Sequence, residues 1–156
     1  MKMNILLIGL VLFMTSCGKK DNSTSDFSKT SASESTEVKS DYDPVLGEGK
    51  FDKIELAANL DHEMAKSGET ISSTKCTSCH KLTDEKLVGP GWAGVTKRRA
   101  PEWIMNFITN PDPMIDKDPE LQSQLEICLV RMPNQNVSDD EARQILEYMR
   151  KNDGIQ

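Results

Sequence analysis

The segment Cys76-Thr77-Ser78-Cys79-His80 decides how this chain is read. Two thiols separated by two residues can add across the two vinyl groups of a haem, and a histidine directly after them then reaches the iron from one face. Three other chemistries compete for the same residues. A thioredoxin-like dithiol opens a helix after a βαβ strand, and no strand pattern precedes Cys76. A zinc site needs a fourth ligand at ordinary spacing, and the rest of the folded part offers Cys128 and His62. A disulfide across two residues would be strained and leaves His80 without a role. Covalent haem gives all three side chains work, so one haem c, attached through Cys76 and Cys79, is the expected cofactor.

Upstream, Met1-Lys2-Met3-Asn4 precedes an apolar run over residues 5–14, too short to span a bilayer as a helix. It reads as a signal peptide over residues 1–16. The run ends in Met14-Thr15-Ser16-Cys17, small residues before a cysteine, which resembles the cleavage box of bacterial lipoproteins with Cys17 as the acylated first residue. An ordinary secretory signal with an incidental Cys17 is the alternative. Either way, export is expected, and a lipid at Cys17 would hold the chain on the periplasmic side of a bacterial membrane. From Gly18 to Gly47 there are ten Ser or Thr residues, and the few large apolar ones, Tyr42 among them, follow no period. Residues 17–47 are therefore expected to be a lipid anchor and disordered linker, with the folded domain over residues 48–156. As a coil such a linker spans about 30 Å and reaches about 100 Å at full stretch.

Size and charge narrow the rest. A chain of 156 residues with 37% hydrophobic content holds one modest domain plus tails. Its 25 acidic and 19 basic residues, a net charge of -6, argue against nucleic acid or an anionic membrane surface as the main partner. Four cysteines at 17, 76, 79 and 128 do not form the even pattern of a disulfide framework.

The folded part reads as all-α, in four or five short helices. One helix is expected from Asp61 as N-cap toward Ser73, with Gly68 on the stripe of Leu60, Met64 and Ile71, where it permits another helix to come close. A second runs from Pro101 to Thr109 and ends at Asn110-Pro111. A third starts at Pro119 behind Asp118, with Leu121, Leu125, Cys128 and Leu129 at helical spacing. The last opens on Ser138-Asp139-Asp140-Glu141, a capping box, and carries Ala142, Ile145, Leu146 and Met149 on one face. So thin a core gains much from a large flat apolar cofactor at its centre.

From Asp61 to Asp153 these pieces follow the order of a class I monohaem c-type cytochrome of the bacterial kind, which the chain resembles. The stretch from Met64 to Glu69 leading to Lys75 resembles that family's first helix, although Ser72 stands where an aromatic is frequent. The segment Gly89-Pro90-Gly91-Trp92-Ala93-Gly94 resembles the loop beneath the haem, and the resemblance implies that the Pro90 carbonyl accepts the imidazole proton. Met132, in Arg131-Met132-Pro133-Asn134, resembles the family's Met-Pro motif and is the leading sixth ligand, being a soft thioether; Met114, placed in a loop, is its competitor. Met64, Met105 and Met149 read as packing, and His62 as exposed. Arg98, Arg99 and Trp103 are the nearest donors for the haem propionates, the alternative being that residues 97–99 form a solvated basic loop. Cys128 reads as a buried structural thiol.

With both axial positions filled, the expected task is one-electron transfer without enzymatic chemistry, the iron cycling between Fe(III) and Fe(II). A donor such as a quinol-oxidising complex, and an acceptor such as a terminal oxidase or periplasmic reductase, would be its partners, with the carrier itself a monomer. The rivals are a haem enzyme or gas sensor with an open sixth position, and a fixed cytochrome subunit of a larger respiratory complex.

Overall fold

Side chains at helix ends and prolines dictate where each helix of this domain begins and stops. The computed structural model describes residues 42–156, which hold six helices and, in place of any strand, a single isolated bridge between His80 and Lys86. Helix α1, His62–Lys75, opens on Asp61, whose carboxylate accepts from the Met64 amide at 2.9 Å, and carries Glu63 and Lys75 at its two ends. Helix α6, Asp139–Asn152, opens on Ser138 with both bonds of the capping box in place.

Prolines divide the middle of the chain. A proline disfavours helical backbone in the residue before it. Asn110 and Asp118, each followed by proline, are accordingly non-helical, and they separate α3 (Pro101–Thr109), α4 (Pro111–Lys117) and α5 (Pro119–Cys128). A four-residue helix α2, Val95–Arg98, follows Gly94, whose φ of 73° is left-handed. The expectation of four or five helices missed α2 and α4, which are too short to show a period. Met114 therefore lies within α4 rather than in a loop, and it is fully buried. Leu129 also departs from expectation: it ends α5 with φ 59° and is 84% exposed, because the chain turns away there toward Met132.

Helix α6 is the hub: α1 crosses it closely and α3 also packs on it, and the buried apolar core gathers Ile145, Leu146 and Met149 of α6 with Trp103, Ile104, Met105 and Ile108 of α3 and Met114 and Ile115 of α4. Ala65, Gly68 and Ser72 are buried along one stripe of α1. A Cβ at Gly68 would overlap the backbone oxygen of Gln144, so only glycine allows the two helices this approach.

Residues 42–60 run as a strap without regular structure across α3 and α6. Asn106, 1% exposed, accepts from the Phe51 amide at 2.9 Å and donates to the Leu46 and Phe51 carbonyls at 3.0 and 2.9 Å. Glu102 accepts from the Ile54 amide at 2.7 Å, and Arg150 donates to the Ala57 carbonyl at 2.6 Å. Tyr42, expected in the disordered linker, is 7% exposed, so ordered chain begins at least six residues earlier than the boundary at 48. The strap bonds through side chains of distant helices, and such contacts leave no local periodicity to read. Among the described residues no helix is long and apolar enough to cross a membrane; residues 1–16 and Cys17 lie outside them.

A buried ion cluster ties strap, α1 and α6 together. Glu147, fully buried, accepts from Arg150 at 2.7 and 2.9 Å, from Arg143 at 2.6 Å, and from the Asp61 amide at 2.9 Å. Burial opposes its charge, but the Asp61 amide and the two guanidinium groups outweigh burial and hold its carboxyl below the usual carboxylate range. A carboxyl depressed in the folded state contributes stability that is complete above its unfolded pKa, about 4.3, and is lost as pH falls through its folded value. Glu147→Gln is therefore expected to lower stability at pH 7 by about 2–4 kcal/mol, leaving Arg150 buried and unpaired, and to flatten the loss of Tm below about pH 4.3. Gly68→Val is expected to cost at least about 2 kcal/mol in a denaturant titration, by forcing α1 off α6.

Candidate functional site

The helical hydrogen bonding of α1 does not stop cleanly at Lys75. Cys76 and Thr77 amides donate to the Ser72 carbonyl at 2.9 and 3.0 Å, and Cys79 and His80 amides donate to the Cys76 carbonyl, both at 3.0 Å. The five-residue segment is thus one tight turn on the end of α1, with Cys76, Cys79 and His80 all facing one cleft. Both cysteines are half-buried free thiols. Burial pushes the Cys76 thiol up, against the nearby Ser72 hydroxyl and Lys75.

After His80 the chain folds back beneath it. The Cys79 carbonyl accepts from the Val88 and Gly89 amides at 3.2 and 2.9 Å, and His80 Nδ1 bonds the Pro90 carbonyl at 2.8 Å. A carbonyl can only accept, so Nδ1 carries the proton and Nε2 keeps its lone pair for a metal. A Cβ at Gly89 would press on the His80 ring, so the loop needs glycine there to come so close. Burial lowers the imidazole pKa, against the Pro90 bond, which favours the neutral ligand form. Trp92 is buried with its ring centroid 5.7 Å from that of His80.

The far end of α6 locks this loop. Asp153 accepts from the Gly94 amide at 2.6 Å and from Thr96 through its amide at 2.9 Å and its hydroxyl at 2.6 Å. Asn152 donates to the Leu82 carbonyl at 2.9 Å.

Met132 lies between α5 and α6, half-buried, on a loop that is held at several points. Its neighbour Arg131 donates to Asp112 and Asp116 carboxylates at 2.7 and 2.9 Å and to the Asp112 carbonyl at 2.9 Å, while Asn134 donates to the Thr109 carbonyl at 3.3 Å. Met132 lines the same cleft as Cys76, Cys79 and His80, whereas Met114 lines none of the cavities around it and packs against the strap. Met64 is half-buried on α1 and Met105 is buried in α3, both as packing; Met149 is buried and adds to the cleft wall. His62 is exposed.

All nine cleft residues expected from the sequence come together: Cys76, Cys79, His80, Pro90, Trp92, Arg98, Arg99, Trp103 and Met132. The cleft has about 1110 Å³ of empty space, part of it open to solvent, and its walls are mainly apolar, with Ile104, Phe107 and Ile108 from α3 and Ile145 from α6. The basic triplet divides. Arg98 is exposed on α2 and donates to the Ala93 carbonyl at 2.6 Å, while Arg99 turns inward, pairs with Glu120 at 2.7 Å and lies 4.1 Å over the Trp103 ring. Trp103 lines the cleft, but its one N–H, expected to face the propionates, points at Tyr42 and Asp118, 3.2 and 3.3 Å away. Cys128 is half-buried and lines an adjoining cavity shared with Cys79 and Met132. The part played by Tyr42 and Asp118 in this wall was missed in the sequence, where a tyrosine in a polar stretch and an acid before a proline give no sign of meeting.

The donor set fits haem. Two unpaired thiols and a neutral imidazole sit on one turn, and a thioether lines the same mainly apolar cleft. It does not fit zinc: among the described residues no three His, Cys, Asp or Glu side chains converge on a common point.

A family model, Cytochrome c, matches residues 65–153. The cytochrome c from Rhodothermus marinus is a structural neighbour, with 37% sequence identity over 67% of this chain and 90% of that one, at a TM-score of 0.65. An engineered form of that cytochrome is 36% identical over the same shares at a TM-score of 0.64, and the engineered form bound to a carbene intermediate is 36% identical at 0.61. No curated protein matches. The fold, the paired thiols and these likenesses agree: the chain belongs to the cytochrome c family, an electron carrier with one haem c bound covalently through Cys76 and Cys79.

Proposed function

We propose that this protein is a membrane-tethered one-electron carrier in which His80 and Met132 hold the haem iron from its two faces. The observation that carries this reading is the convergence of His80 and Met132 on the cleft that also holds the two thiols. Haem supplies the Fe(III)/Fe(II) couple; the chain supplies its surroundings. The Pro90 carbonyl orients the imidazole and strengthens it as a donor, as outer partners of metal-bound histidines do. The anchored loop around Met132 presents a soft thioether, which favours the reduced state relative to a second histidine. With His80 and Met132 both engaged, small molecules would be kept from the iron, and one-electron transfer without bond formation would be the chemistry left to it.

Arg98 and Arg99, the latter 15% exposed in its side chain, both line the cleft and would be the cations that meet the propionates. Val88 and Val130, both exposed, line the adjoining cavity that shares Cys79, His80 and Met132 with the cleft, so a redox partner would meet apolar surface beside it. That suits brief contact between a donor such as a quinol-oxidising complex and an acceptor such as a terminal oxidase or a periplasmic reductase. Residues 1–16 would export the chain to the periplasmic side, and a lipid on Cys17 would hold it there on the stretch that ends at Tyr42.

Met132→Ala is expected to abolish the low-spin, six-coordinate absorption spectrum and to lower the reduction potential, with haem still covalently attached. A high-spin spectrum in the unaltered protein would instead favour an open-site haem enzyme or sensor. Cys17→Ser is expected to move the protein from the detergent phase to the aqueous phase in a phase-partition assay of cell extracts, with its haem spectrum unchanged.

A further inference from the structure

Asp118 is an acid buried behind the haem cleft with no role in holding iron. It is 2% exposed, and its carboxylate gathers four donors: the Tyr42 hydroxyl at 2.7 Å, the Glu120 and Leu121 amides at 2.8 and 3.2 Å, and the Trp103 indole N–H at 3.3 Å. Three of these belong to cleft-lining residues: Trp103 on α3, and Glu120 and Leu121 on α5. The fourth, Tyr42, stands on the strap, ahead of residues 65–153 that carry the family likeness. One buried carboxylate thus joins two walls of the cleft to the segment that leads into it.

We propose that Asp118 is a positioning residue of the redox site, which fixes Trp103 and the first turn of α5 as cleft wall and, as a buried anion one layer behind it, lowers the reduction potential of the haem. The inference rests on the haem filling the cleft, and does not depend on which side chain is the sixth ligand. Burial opposes the charge of Asp118, but the Tyr42 hydroxyl and the Leu121 and Glu120 amides outweigh it, holding the carboxyl below the usual carboxylate range, so it stays ionised at neutral pH. Tyr42 is held protonated by burial and by Asp118, so its hydroxyl donates.

Reduction adds one electron to the iron, and a fixed negative charge in a poorly screened interior opposes that addition. Arg99 is the cation of the same wall, but it is paired with Glu120, which leaves one negative charge in excess among the three side chains. The hydroxyl of Tyr42 points its positive end at that charge and softens it. The two residues therefore act on the potential with opposite sign, whereas both contribute to holding the wall.

The test uses the haem-loaded full chain, with midpoint potentials from spectroelectrochemical titration and Tm from thermal melts. Asp118→Asn keeps the shape and removes the charge, and is expected to raise the potential, increasing the reduced-to-oxidised ratio at fixed applied potential by at least about threefold. Asp118→Glu is expected to stay close to the unaltered protein in potential. Tyr42→Phe is expected to lower the potential while lowering Tm, as Asp118→Asn does. An unchanged potential in Asp118→Asn, or shifts of the same sign in Asp118→Asn and Tyr42→Phe, would mean that Asp118 only braces the wall and would overturn the proposal. If Asp118→Asn fails to retain haem, Tyr42→Phe decides alone: a lower potential supports the proposal, and an equal or higher one overturns it. Electron exchange with a small redox protein persists in every variant that holds haem, so this inference can fail while the carrier function stands.

Discussion

The close approach of α1 and α6 at Gly68 is the constraint on which the site depends. The haem-binding turn is an extension of α1, and the clamp on the loop beneath His80 is the far end of α6, through Asn152 and Asp153. Spreading the two helices would strain the bond between the His80 imidazole and the Pro90 carbonyl that orients it. A single missing Cβ at the crossing thus sets the relation between the turn that carries Cys76, Cys79 and His80 and the clamp on the loop beneath His80. The apolar stripe supplies adhesion, which is not directional. The polar clamps supply position.

That division of labour recurs around the cleft. Its walls are Ile, Phe, Leu and Trp side chains that accept a flat apolar ring without dictating its place. The groups proposed to hold the iron are instead fixed by hydrogen bonds at 3.3 Å or less: His80 by Pro90, and the loop of Met132 by Arg131 and Asn134. Such bonds are individually modest but rigid in direction, which is what an electron carrier asks of its ligands, since reorganisation on changing oxidation state slows transfer.

Two buried acids mark where the chain departs from a minimal domain. Glu147 ties α6 to the start of α1 and to Arg150, which in turn holds the strap, and Asp118 ties α3 and α5 to Tyr42. Both lie where the strap over residues 42–60 meets the helices. The strap has no helix or strand of its own to satisfy its backbone, so side chains of Asn106, Glu102 and Arg150 do so instead.

Much of this protein was determined by its sequence alone. The spacing of Cys76, Cys79 and His80 fixes a chemistry that few other residue orders serve, and the caps at Asp61, Asp118 and Ser138 set the starts of three helices because capping is a local bond between near neighbours. Six of the nine cleft residues could be named from short motifs that stand in order along the chain, those around Cys76 to His80, Pro90 to Trp92 and Met132, whereas Arg98, Arg99 and Trp103 could be named from their nearness in sequence. Tertiary structure decided what depends on distant partners. Residue 114 became core when α4 formed between two proline breaks, the Trp103 N–H turned away from the cleft to a carboxylate, and Tyr42 left the polar linker for the interior. A side chain's partner 76 positions away has no trace in local pattern, because folding selects it by space and charge rather than by separation along the chain.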